Sequence, residues 1–172
     1  MRSSRFAWLA ALIIGAGRGS SAGQADVDFS SDQFLIGKWA CEMSTVGGES
    51  GHEAATYSLD LGGRWLRVDY TLTPGDSDRL RTSTSAFETY DSSLKKWVYV
   101  SVSSDGSYGM SYSDGWLGDV KVYRPPSSDP QSFKLTATRV SDVEFTEVVE
   151  ILSNGQWSIT SKLNCKRAEG SP

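Results

Sequence analysis

The chain has 172 residues, 17 basic and 21 acidic side chains, a net charge of −4, two cysteines and one histidine. One histidine excludes a His-dependent catalytic triad and a multi-histidine metal centre. Net negative charge argues against nucleic acid or an anionic membrane surface as partner, because both reward basic patches.

Arg2 and Arg5 precede an apolar run over residues 6–16, and small residues follow, with cleavage positions after Ala22 or after Ala25. This is the layout of a secretory signal peptide over residues 1–25. The run is well short of the roughly 20 residues that span a bilayer. No cysteine follows it closely enough to take a lipid anchor. Its removal takes away three arginines and no acid, leaving 14 basic against 21 acidic side chains and a net charge of −7. The expectation is an exported protein, periplasmic or extracellular, with no membrane anchor after cleavage and residues 26–172 forming a single domain. Two cysteines in an exported chain read as one disulfide.

Residues 26–34 are polar with two aromatics and predict a lead-in with a short helical turn capped by Ser30 or Ser31. Beyond them, β-branched and aromatic residues alternate with polar ones in runs broken by Gly, Asp, Asn, Ser and Pro, the pattern of an all-β sandwich or barrel. Predicted strands cover residues 35–45, 54–61, 64–73, 80–90, 96–103, 108–112, 116–123, 132–140, 143–152 and 156–167. Gly62-Gly63 and Asn154-Gly155 mark tight hairpin turns. The third strand places Leu66, Val68, Tyr70 and Leu72 on one face, and the sixth places Tyr108, Met110 and Tyr112 on one face. Eight to ten such strands without crossover helices make an up-and-down antiparallel β-barrel.

The cysteines specify how it closes. Trp39 and Cys41 share a face of the first strand, while Trp157, Ile159, Leu163 and Cys165 share a face of the last. With an even number of strands, first and last become antiparallel neighbours. A facing pair then lies within bridging distance. The expected bond is Cys41–Cys165, locking the seam.

No G-x-S-x-G, phosphate-cradling glycine loop or H-E-x-x-H is present. His52, in a glycine-rich loop beside Glu49 and Glu53, reads as an exposed loop residue, and neither a metal nor a cofactor is expected. Glu147 stands out because it shares parity with Val143, Phe145, Val149 and Ile151. Facing inward, it needs a basic partner such as Arg67 or Arg139, or a bulge that turns it out; otherwise it marks a catalytic carboxylate. The aromatic residues either line a cavity or fill the core, and the sequence leaves both open. Tyr70, Tyr108, Met110, Tyr112 and Trp116 are the candidate lining residues, with Glu147. Three readings follow: a barrel that binds a small apolar ligand, an enzyme using an interior carboxylate, or an envelope interaction protein with a filled barrel.

Several short motifs carry a resemblance: Leu35-Ile36-Gly37-Lys38-Trp39, Leu61-Gly62-Gly63-Arg64-Trp65-Leu66, Tyr90-Asp91 followed by Lys96-Trp97-Val98, and Gly115-Trp116. Over residues 33–167 the chain resembles a domain-of-unknown-function family of small bacterial proteins with a lipocalin-like (calycin) barrel. That resemblance implies the fold and no established activity. The opening is also similar to that of nitrobindin-like haem barrels, whose haem ligand is a histidine late in the chain. No late histidine exists here, so haem is not expected.

Overall fold

The computed structural model describes residues 26–75, 81–126 and 133–170. The predicted signal segment, residues 1–25, lies outside the described residues. A 3-10 helix, Ser30–Leu35, leads into ten strands: β1 (Gly37–Thr45), β2 (Ser50–Asp60), β3 (Trp65–Pro74), β4 (Thr82–Asp91), β5 (Lys96–Ser103), β6 (Tyr108–Leu117), β7 (Val120–Arg124), β8 (Phe133–Ser141), β9 (Glu144–Ser153) and β10 (Gln156–Arg167). Each strand runs antiparallel to its chain neighbours, and β10 pairs back onto β1 to close the barrel. Ten strands joined in sequence order, with a short helix at one end, make a closed up-and-down antiparallel barrel.

Alternation builds the wall. Leu66 and Val68 in β3, Ala86 in β4 and Phe145 in β9 are buried in the interior. Alternate positions such as Arg67, Asp69 and Ser85 form a hydrogen-bonded group on the outer surface. At the seam, Cys41 lies directly opposite Cys165. Their sulfurs are bonded, with Cα atoms 4.0 Å apart.

The helix closes one end of the barrel. Trp39 Nε1 donates to the Leu35 carbonyl at 2.7 Å. Phe34 packs edge-on against Trp116 and Phe29 against Trp97, both with ring centroids 5.3 Å apart. Arg167, from the last strand, covers the Trp39 ring at 4.7 Å and donates to the carbonyls of Phe34 and Ile36. First and last elements thus hold the base through the same tryptophan. Neither Ser30 nor Ser31 caps the helix; Phe29 holds the N-cap position without a side-chain bond, and Asp28 accepts from the Ser30 amide instead.

Three strand expectations need correction. β2 begins at Ser50, not at residue 54, because its polar start pairs with the end of β1 through Ser44 and Ser50. β6 does not turn at residues 113–115; it continues across a bulge to Leu117 and turns at Gly118 and Asp119. Gly115 sits in that bulge at φ 91°, where an added Cβ would stand 2.8 Å from Trp97 Nε1. A second bulge, between Ile159 and Ser161, reverses side-chain parity within β10. Trp157 and Ile159 therefore do not share the inner face of Leu163 and Cys165. Trp157 lies outside, 39% exposed, with Arg124 and Lys134 over its ring.

Candidate functional site

The barrel is not filled. Beyond the plugged base it encloses a cavity of about 270 Å³. Aliphatic and aromatic side chains from β3, β8, β9 and β10 form its apolar wall, among them Val68, Leu135, Phe145 and Leu163. Three inward positions of β5 and β6 are small, Ser101, Gly109 and Ser111. This is where the space comes from. Four phenols, Tyr57, Tyr70, Tyr99 and Tyr123, and three carboxyls, Glu53, Glu88 and Glu147, supply the polarity.

At the cavity floor lies a buried ion cluster that joins the plug to the wall. Lys121 of β7 is wholly buried and donates to Asp32 Oδ1 of the helix and to Glu88 Oε2 of β4, each at 3.0 Å. Trp116 Nε1 also donates to Asp32 Oδ1 at 2.7 Å, and the Tyr123 hydroxyl donates to Glu88 Oε2 at 3.2 Å. The lysine nitrogen lies over the rings of Trp97, Trp116 and Tyr123, at 4.7, 5.7 and 5.6 Å from their centroids. One ammonium thus serves two carboxylates. Glu88 Oε1 lies 3.0 Å from the same nitrogen but outside hydrogen-bonding geometry, so it and Asp32 Oδ2 are left without hydrogen-bond partners. Burial pushes Glu88 up to about 7, with Lys121 opposing the rise and Asp32 adding to it.

Glu147 and Glu53 sit higher in the cavity. Glu147 is enclosed by protein, and what accessible surface it keeps faces the cavity. Burial alone lifts it to about 7, and no ion pair or hydrogen bond among the described residues holds its carboxylate. Neither of its expected partners reaches it. Arg67 is on the outer surface with Asp69 and Asp60, and Arg139 pairs with Asp142 while covering Phe34. No bulge turns Glu147 outward; it pairs in regular register with Leu163 and Ala137. Glu53 is raised to about 8, first by burial and then by the charge of Glu147. Burial also holds the phenols of Tyr57, Tyr99 and Tyr123 well above their ordinary range, with nearby charges adding to it. They remain neutral donors.

Of the candidate lining residues, the structure brings together Tyr70, Trp116 and Glu147, with Met110 at the rim, 44% exposed. Tyr108 and Tyr112 do not line the cavity. Tyr108 is 87% exposed because the aromatic face of β6 is its outer face and the small residues point in. Sequence reasoning did not single out Glu53, Glu88, Lys121 or Asp32. Lys121 left a legible trace, lying in phase with the inward Tyr123 of the same strand. The inward turn of Glu88 had a similar one, in phase with Ala86. His52 is exposed, 2.9 Å from an equally exposed Glu42.

No family model and no curated protein matches this chain. Among solved structures, one described as EF1p2_mFAP2b bound to DFHBI is 14% identical, over 80% of this chain and 96% of that one, with a TM-score of 0.42. At that distance the likeness carries no functional argument, and the barrel rests on its own pairing.

Proposed function

We propose that the barrel binds a small, largely apolar molecule in its interior, as an exported lipocalin-like carrier related to the domain-of-unknown-function barrels. The observation that carries this reading is the interior cavity of about 270 Å³, open at one side, with an apolar wall and a few converging hydroxyl and carboxyl groups. Apolar walls supply affinity, and sparse polar groups set orientation. A dry cavity of about 150 Å³ takes benzene, so this one suits a ligand of roughly ten non-hydrogen atoms. Tyr70, Trp116 and Glu147 are the proposed contacts, with Met110 at the entrance. The disulfide between Cys41 and Cys165 is compatible with an oxidising, extracytoplasmic location.

Native mass spectrometry of the protein purified from its own host tests the reading. The expected result is an added mass of a small molecule that dissociates on unfolding. A clean apo mass, together with no uptake of a neutral apolar dye, overturns it.

A second reading, an acid–base enzyme, is favoured by one observation: Glu147 faces the cavity without a basic partner and titrates at about 7. A general acid or base works best near the operating pH. The two readings separate on the fate of the bound molecule, which a carrier returns unaltered and an enzyme returns changed.

A further inference from the structure

The cavity is one-sided in charge. Glu53, Glu88 and Glu147 line it, and among the described residues no lysine, arginine or histidine does. Lys121 lies behind the floor and is already shared between Asp32 and Glu88. The cluster therefore sets two carboxyl groups against one ammonium. Glu88 is 3% exposed, and its Oε1, although 3.0 Å from the Lys121 nitrogen, accepts no hydrogen bond. Glu147, which lines the cavity, has neither a cation nor a hydrogen-bond donor among the described residues. A buried carboxylate without donor or cation is costly, and proteins keep such groups where something else completes them. The surrounding walls are rich in π-faces, from Trp116, Phe133 and the four phenols. Ring faces attract cations electrostatically, most strongly where water is excluded.

We infer that the ligand of this cavity is an organic cation: a compact apolar or aromatic body bearing a protonated amine, whose ammonium is held by Glu147 and Glu53 and whose body rests against the aromatic wall. The inference rests on the cavity-binding reading above and adds the charge of the occupant. A neutral ligand would leave the carboxyls to take up protons, and an anionic one would add repulsion to a site whose described lining residues include no cation. An ammonium supplies both the charge and the hydrogen-bond donors that these oxygens lack.

Proton linkage gives the inference a direction. The titratable groups facing the cavity are Glu53 and Tyr57 of β2, Tyr70 of β3, Glu88 of β4, Tyr99 of β5, Tyr123 of β7 and Glu147 of β9, with Lys121 and Asp32 behind the floor. The phenols stay neutral throughout the accessible range, so the carboxyls alone respond. Free of ligand, they hold protons near neutral pH because burial disfavours their charge. A bound cation reverses that balance and expels a proton. Amine affinity should therefore rise from pH 6 to pH 8.5, a range in which the amine itself stays charged.

The test is a calorimetric titration of the full oxidised protein with three ligands of similar size: 2-phenylethylamine, 2-phenylethanol and phenylacetate. The amine is expected to bind about tenfold or more tightly than the alcohol at pH 8.5, the worth of a hydrogen bond to a charged group. Phenylacetate should bind weakest of the three. In Glu147→Gln the advantage of the amine over the alcohol should collapse, as should proton release measured in buffers of different ionisation heat. If Glu147→Gln fails to fold, Glu53→Gln serves the same comparison. Equal or tighter binding of the alcohol or of phenylacetate overturns the cationic ligand and leaves the apolar cavity standing. Failure of all three to bind, with no uptake of a neutral apolar dye, overturns both.

Discussion

At the scale of single residues, the interior carboxyls oppose the fold that encloses them. Glu147 titrates at about 7 in the folded chain against an ordinary 4.5, so between those values the native state holds a proton that the unfolded state has lost. Its contribution is thus intact below about pH 4.5 and is lost as pH rises through 7, a loss of about 3 kcal/mol at most. Glu53 extends the same window toward 8. Asp69, held low by Arg67 and Ser85 against the effect of burial, acts oppositely and only in acid. Urea unfolding of Glu147→Gln should therefore come close to wild type at pH 4 and exceed its stability by about 1–3 kcal/mol at pH 8.5. Equal stability at pH 8.5 would show that the carboxyl is not buried as charge. The inward position of Glu147 was legible from strand parity. Its lack of a partner was not, because Arg67 and Arg139 are matched with nearer acids on the outer surface.

Elements depart from the alternating pattern at three bulges, in β6, β8 and β10, and the first and last of them decide what the barrel presents. The bulge in β6 keeps Trp116 inside, lining the cavity and bonded to Asp32, while Gly115 makes room for Trp97. Gly115→Ala forces a side chain onto a positive φ and a Cβ onto the indole nitrogen. It should cost about 1–3 kcal/mol in denaturant unfolding and alter tryptophan emission, since Trp97 must move. An unchanged emission spectrum at full stability would mean that the close approach is absent. The bulge in β10 carries Trp157 to the outside, against the expectation from its spacing to Cys165. A period-two argument holds only within an uninterrupted ladder, and one extra residue reverses every side chain before it. Nothing in the Ile159-Thr160-Ser161 sequence announces that extra residue, although Thr160 Oγ1 donates to the Val149 carbonyl once it is there.

For the whole molecule, closure is the governing fact. Cys41 and Cys165 are 124 positions apart, and their bond ties the first strand to the last. In the chain-entropy view a loop of that length is worth about 4–5 kcal/mol. Reduction, or the double variant Cys41→Ala with Cys165→Ala, should lower unfolding stability by an amount of that order. No loss would show that strand pairing and the Arg167–Trp39 contact hold the seam unaided. The plug depends on the same closure, because the last strand supplies Arg167 to the helix that seals the base.

The strand-rich barrel, its up-and-down order and the meeting of its ends were legible along the chain, since period-two alternation and turn residues act locally and repeat. Tertiary structure alone decided what lies inside. Whether aromatic residues fill a barrel or line a cavity depends on which side chains meet inside it, and here Ser101, Gly109 and Ser111 leave space that the larger residues of the other strands do not fill. The floor depends on three residues far apart in the chain, Asp32, Glu88 and Lys121, none of which has a partner until the barrel closes. Charge pairing between distant strands has no period to read, and that is why the acidic cavity emerged only with the fold.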